Sequence, residues 1–189
     1  RDDGAPCTEC AGWPPYLRLA RSAVLLHPPA DRLVHQLKYR GWRSLAEPMA
    51  ERMARLPLPR DVDDEARVVV PVPTTAVRLR GRGYNQAELV AHAYARRTHR
   101  QVRSLLVRRG VSGSQTRLQP AARASNVAGA FALAGVVRLD RTHLILVDDV
   151  LTTGATACEC ARVLVDAGAR CVSLITFARA LDARRLITT

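Results

Sequence analysis

A chain of 189 residues, 48% hydrophobic and 24% charged, has the make-up of one globular domain with at most a small appendage. It holds no run of about 18 apolar residues, which excludes a helical membrane span, and no membrane partner is expected. The formal net charge is +12, carried by 28 arginines and one lysine, and charge of that sign draws polyanions such as pyrophosphate or a nucleic-acid backbone.

The N-terminal piece, residues 1–66, opens on Cys7-Thr8-Glu9-Cys10, the spacing of half a tetrahedral zinc site. Two thiolates cannot close such a site and no histidine lies near them in sequence, so no stable zinc is expected in this chain. The stretch from Arg18 to Leu26 is too short and too interrupted for a signal peptide. Helices are predicted over 31–39 and 45–55, then a Pro- and Asp-rich linker over 57–65. Trp42 is expected in the core; Tyr39 fits either the core or an exposed stacking surface.

The periodic core, residues 67–189, predicts strands at 67–72, 102–107, 143–148 and 171–177, with a further short strand at 129–133. Helices are predicted over 85–97 and 153–167, the second closed by Gly168. Strands alternating with helices at this spacing imply a parallel sheet with right-handed crossovers. Gly81-Arg82-Gly83 is not a dinucleotide fingerprint, because the third glycine is missing and the stretch does not directly follow the strand; no GxxxxGK[ST] run exists either. The polar segment 108–119, with Gly110 and Gly113, reads as a lid or as a plain surface loop.

Between Arg78 and Arg123 stand eleven arginines and one acid, Glu88. Within this block Arg96, Arg97 and Arg100 are candidate contacts for single-stranded DNA. GC-rich coding accounts for part of the arginine excess, and residues scarce under that bias are informative where they survive: Lys38, Asn85 and Asn126. The asparagines are read as loop-fixing hydrogen-bonders, and Lys38 as a contact to a phosphate or an acidic neighbour. Cys158, Cys160 and Cys171 read as buried, reduced thiols, which predicts a cytoplasmic protein. The five histidines (27, 35, 92, 99, 143) form no metal spacing and pair with no nucleophile.

The most informative stretch is Leu144-Ile-Leu-Val-Asp148-Asp149-Val-Leu-Thr152-Thr153-Gly154-Ala155-Thr156. A buried strand ends at two acids, and a hydroxyl-rich turn then opens a helix. The helix start offers backbone N–H groups to a phosphate. The carboxylates can accept hydrogen bonds from vicinal ribose hydroxyls or hold a divalent ion. An ordinary βα turn with a capping residue is the alternative.

Val147 to Thr156 resembles the phosphoribosyl-pyrophosphate (PRPP) loop of type I phosphoribosyltransferases. Val69-Val70-Pro71-Val72-Pro73, Arg82-Gly83-Tyr84-Asn85-Gln86-Ala87-Glu88-Leu89, Gln115-Thr116, Arg123 to Phe131 and Leu37-Lys38-Tyr39-Arg40-Gly41 are similar to the competence protein F (ComF) branch of that superfamily. The resemblance implies an α/β fold of type I phosphoribosyltransferase kind: a mainly parallel sheet flanked by helices, with the N-terminal piece as a small helical hood carrying a half zinc-ribbon remnant. It implies PRPP as ligand, held by Asp148, Asp149, Val150, Leu151, Thr152, Thr153, Gly154, Ala155 and Thr156. Thr74 and Thr75 with Arg80 and Arg82 would form the pyrophosphate loop. Magnesium would lie at Asp148 and Asp149, directly or through water. Segment 108–119 would close as the mobile loop, with Arg108, Arg109 and Arg117 neutralising the leaving pyrophosphate. Lys38 and Tyr39 would face the acceptor, and a second CxxC pair would complete the zinc ribbon of Cys7 and Cys10 in relatives. Two functions follow: a phosphoribosyltransferase with an unidentified acceptor, or a non-catalytic PRPP- and single-stranded-DNA-binding component of DNA uptake with a competence-machinery partner.

Overall fold

Residues 12–109 and 127–181 are described by the computed structural model. In chain order the elements are β1 (Leu17–Leu25), α1 (Ala30–Tyr39), a 3-10 turn (Arg43–Leu45), α2 (Ala46–Ala54), α3 (Arg60–Glu65), β2 (Val68–Pro71), α4 (Ala76–Arg82), α5 (Gln86–Arg97), β3 (Gln101–Val102), β4 (Leu106–Arg108), β5 (Phe131–Leu133), β6 (His143–Leu151), α6 (Ala155–Asp166) and β7 (Cys171–Arg179). Five strands form one sheet in the order β1-β7-β6-β2-β3, every pair parallel. β6 and β7 are central and buried on both faces, which is why they read as unbroken apolar runs rather than alternating ones.

The chain leaves β2 outward to β3, then returns to β6 on the other side of β2 and moves on to β7. Strand order therefore reverses between β2 and β6, and in open parallel sheets the crevice beyond that reversal is where ligands bind. Each sheet face has its own core. On one face Leu37 of α1, Met49 and Met53 of α2, and Val90 and Tyr94 of α5 pack on Ile145 and Ile175. On the other, Cys160 and Leu164 of α6 pack on Leu144, Leu146, Val172 and Leu174.

Several expected boundaries shift. β1 lies in a stretch where no strand is predicted, and it makes the N-terminal piece contribute an edge strand to the main sheet, paired with β7 from Leu17↔Val172 to Leu25↔Arg179 with one register shift between Leu17 and Leu19. The linker 57–65 holds α3, whose Val62 is fully buried and whose first turn carries Asp61 and Asp63 against the helix dipole. The single strand expected over 102–107 is two. Leu105 N–H donates to Arg103 O at 3.0 Å, a tight turn that takes the chain out of the main sheet, and β4 then pairs antiparallel with β5. β6 runs three residues past Asp148 because Asp148, Val150 and Leu151 keep pairing with Thr176, Ala178 and Arg179. Trp42 is not in the core: it is 55% exposed, at the start of the 3-10 turn where Gly41, at φ +73°, bends the chain out of α1.

Candidate functional site

The two acids sit where β6 faces the sheet's switch point. Register brings Pro71 opposite Val147, and Val72 N–H donates to Val147 O at 2.9 Å, so the turn 73–75 begins beside Asp148 and Asp149. Strand alternation carries Asp148 toward the α6 side, where it lines a narrow cavity of about 40 Å³ with Thr152, Gly154, Thr156 and Thr176. Asp149 turns toward the hood and is almost fully buried. There Lys38 Nζ lies 2.7 Å from Asp149 Oδ2. The two form a close ion pair at the buried end of Asp149. The sole lysine thus meets an acidic neighbour, and it ties the hood to the acid pair.

Burial pushes the Asp148 carboxyl well above its ordinary pKa, and the adjacent Asp149 charge pushes the same way. The Asp149 N–H, which donates to Asp148 Oδ1 at 2.8 Å, and Lys38 pull it back only in part. A buried carboxyl at a strand end, crowded by a second one and pressed toward protonation, is the electrostatic setting that a hydroxyl-bearing sugar or a cation relieves.

The turn after β6 is built around Gly154, at φ +84°. The helix begins at Ala155 rather than Thr153, because Gly154 takes the left-handed cap position. Thr153 Oγ1 accepts from Ala155 N–H at 3.4 Å. Trp13 lies directly on Gly154: a Cβ there would meet its ring atoms Cζ2 at 2.4 Å and Cε2 at 2.7 Å. The Arg179 guanidinium stacks over that indole, 5.7 Å from its centroid. Nothing in the local sequence pattern announces Trp13 as part of the site.

Of the other predicted residues, Thr75 caps α4 by accepting from Arg78 N–H at 3.2 Å. Thr74 lines a second cavity, about 270 Å³, with Asn85, Glu88, Ser104 and Arg108. Arg108 is half-buried over the Phe131 ring, and its pKa is lowered chiefly by burial and next by Arg78; a guanidinium stays protonated regardless. Arg109 is exposed. Arg80 is exposed on α4. Arg82 turns to the hood, donating to Gln86 Oε1 at 2.8 Å and lying 4.8 Å over the Tyr39 ring. Tyr39 is 63% exposed, which settles it as surface. Asn85 performs the loop-fixing role expected of it: Nδ2 donates to Val72 O at 3.0 Å and Oδ1 accepts from Ala87 N–H at 3.2 Å, capping α5. Cys160 is buried with its thiol pKa well above the usual range through burial; Cys158 and Cys171 are only half-buried, and all three are free thiols. Arg96 and Arg97 both pair with Glu47 at the surface, the second at 3.2 Å, and Arg100, its side chain buried, pairs with Asp63 at 2.6 Å. Cys7, Cys10, Gln115, Thr116, Arg117, Arg123 and Asn126 lie outside the described residues. Among the described residues no helix is long and apolar enough to cross a membrane.

No family model matches the chain. Curated relatives do. The chain is 30% identical over 187 residues to DNA utilization protein YhgH of Escherichia coli strain K12, covering 93% of this chain and 78% of the relative. It is 31% identical over 194 residues to the protein of that name from Salmonella typhi, with the same shares. It is 30% identical over 159 residues to Competence protein F of Haemophilus influenzae, covering 79% of this chain and 61% of that protein.

Proposed function

The chain belongs to the competence protein F family, and from that premise we propose that it binds PRPP at the acid pair and transfers the phosphoribosyl group to an acceptor, releasing pyrophosphate. The observation that carries this reading is the sequence of β6, two crowded carboxyls, the Gly154 turn and the start of α6, set at the switch point of a parallel sheet. The turn's amides and the hydroxyls of Thr152, Thr153 and Thr156 suit a dianionic 5′-phosphate. Asp148 and Asp149 suit the vicinal hydroxyls. Thr74 and Arg108 border the neighbouring cavity, where the leaving pyrophosphate would be held, with Thr75 and Arg109 next to them in sequence. In the reaction an acceptor nitrogen attacks C1 as the bond from C1 to the pyrophosphate oxygen breaks, and the acceptor's proton passes to solvent or to the leaving group. The protein's share is positioning and charge stabilisation.

The two adjacent carboxyls, one of them pressed toward protonation by burial and by its neighbour's charge, suit a hard divalent cation that would relieve the crowding. Asp148 and Asp149 would hold magnesium, directly or through water, and bound there it would neutralise pyrophosphate charge. The names of the relatives tie DNA utilization and competence to those proteins; we extend that setting to this chain, as a PRPP-dependent step in the handling of incoming DNA.

Calorimetry with PRPP and magnesium tests the binding. A saturable signal lost in Asp149→Asn is expected, and no signal at saturating PRPP refutes the reading. A parallel screen of nucleobases and amines for pyrophosphate release tests the transfer; binding without turnover across a broad screen assigns the site a non-catalytic role.

A further inference from the structure

We propose that Lys38 is a specificity-determining residue of the acid pair: its ammonium stands on Asp149 in the place of a divalent cation, so the pair turns away a free cation and admits one only together with an anion that takes the ammonium over. The inference rests on the reading of the acid pair as a site for a cation and a diphosphate. Its probes are magnesium and inorganic pyrophosphate rather than PRPP.

The arrangement is that of a held cation. Lys38 Nζ lies 2.7 Å from Asp149 Oδ2, with 21% of the lysine side chain and 3% of the aspartate side chain exposed. Asp148 forms no ion pair among the described residues, so two adjacent carboxyls share one ammonium. The last turn of α1 delivers it, and that turn is tied down on either side of the lysine. Leu37 O accepts from the Tyr84 hydroxyl, and the Tyr39 ring lies 4.8 Å from the Arg82 guanidinium. Both ties run to the end of α4 and the residues just past it. The backbone at Lys38 is thus fixed, while its four-carbon stem can swing the ammonium off Asp149 without moving the helix.

The residue type argues for exchange rather than for a plain structural tie. Every other ion pair among the described residues takes its cation from an arginine or a histidine. A guanidinium grips a carboxylate through a rigid fork. An ammonium is a compact, strongly hydrated point charge, and of the basic side chains it stands nearest to a hard metal ion. A free dication entering the pair has to push the ammonium off Asp149. It leaves that charge mostly buried, unpaired and beside a second positive centre. A cation arriving with a diphosphate brings the negative charge to which the freed ammonium turns. A tie that only joined hood to sheet would not depend on the anion.

The test titrates the full chain by calorimetry with magnesium chloride and, separately, with magnesium pyrophosphate. Lys38 is the sole lysine, so a chain isotope-labelled at lysine Cε gives a single side-chain NMR signal that follows it directly. In the wild type, magnesium alone should bind more weakly than the pyrophosphate complex by about tenfold or more and leave the Lys38 signal in place, whereas the complex should shift it. Lys38→Gln should bind magnesium alone roughly 10- to 100-fold more tightly than the wild type and the pyrophosphate complex more weakly. A merely loosened site would weaken both. Arg60→Gln, the same charge change on exposed α3, should alter neither. Wild-type binding of magnesium alone as tight as that of the complex, a Lys38 signal moved by magnesium alone, or a folded Lys38→Gln that weakens both ligands or changes neither overturns the inference. The wild-type measurements need no variant, so they decide the matter even where Lys38→Gln does not fold. Any of these results beside calorimetric PRPP binding sinks this inference and leaves the PRPP reading standing.

Discussion

Gly154→Ala tests the joint between the phosphate turn and the N-terminal segment, and two costs can be worked out from the structure. Gly154 holds φ +84°, a left-handed conformation in which an alanine costs roughly 1–2 kcal/mol. The new Cβ would also stand 2.4 Å from Trp13 Cζ2, so the indole must move. Trp13 packs against the α6-side core and lies under Arg179, and forcing extra volume into such a contact costs about 1–3 kcal/mol. The sum, roughly 2–5 kcal/mol, corresponds to a melting temperature lower by about 5–15 °C for a chain of this size. Urea and thermal melts of Gly154→Ala, Trp13→Ala and the double variant form a cycle. The double variant should be more stable than additivity predicts by about 1–3 kcal/mol, because removing the ring relieves the clash but not the backbone strain. Trp13 and Trp42 are the only tryptophans, so in a Trp42→Phe background the Trp13 emission should shift to the red when Gly154 is replaced. Additivity within about 0.5 kcal/mol, or an unshifted spectrum, refutes the reasoning.

Asp148→Asn should raise stability at neutral pH while removing the acid pair. The wild-type carboxyl binds its proton more tightly folded than unfolded, so its stabilising contribution is present below the ordinary carboxylate pKa and lost as pH rises through the raised one; urea melts from pH 4 to 8 should show that slope in the wild type and lose it in the variant. His143 behaves oppositely. Burial lowers its pKa, it donates or accepts at Nε2 with Ser173 Oγ at 2.9 Å, and stability should fall as pH drops below about 6.5, where the unfolded imidazole charges first; His143→Gln should flatten that acid limb. Asn85→Ala should cost about 1.5–3 kcal/mol, losing the α5 cap and leaving Val72 O unpartnered, whereas Asn85→Ser, which can still cap, should recover the capping share, near 1 kcal/mol.

The parts of the fold legible in the sequence are those whose burial is two-sided. β6 and β7 are covered on both faces and could be read from apolar runs alone. β1 was not, because an edge strand has a partner on one side only and can carry charge: Arg18 points out to Asp61 at 3.1 Å, and Arg21 also interrupts the apolar pattern. The same logic explains α3. Its acids look like a linker until Val62 is seen to anchor them in the core. Trp42 fails the other way: apolar area argues for burial, but a residue in the bend after a helix goes where Gly41 sends the backbone.

The site divides along similar lines. Its local half, from Leu144 to Thr156, could be read because strand, acids, turn and helix start are consecutive. Its tertiary half could not, because Trp13 reaches Gly154 only through the packing of separate elements. Lys38 is the instructive intermediate. Composition marked it, since one lysine among 28 arginines is hard to retain where an arginine serves. The geometry supplies the reason: a compact ammonium on a thin stem can reach one buried oxygen of Asp149, whereas a guanidinium fork needs a planar slot and acceptors for several N–H groups. A rare residue type thus pointed to a contact whose partner only the fold could identify, while in the basic block that composition made conspicuous Arg96, Arg97 and Arg100 each meet a carboxylate of another helix.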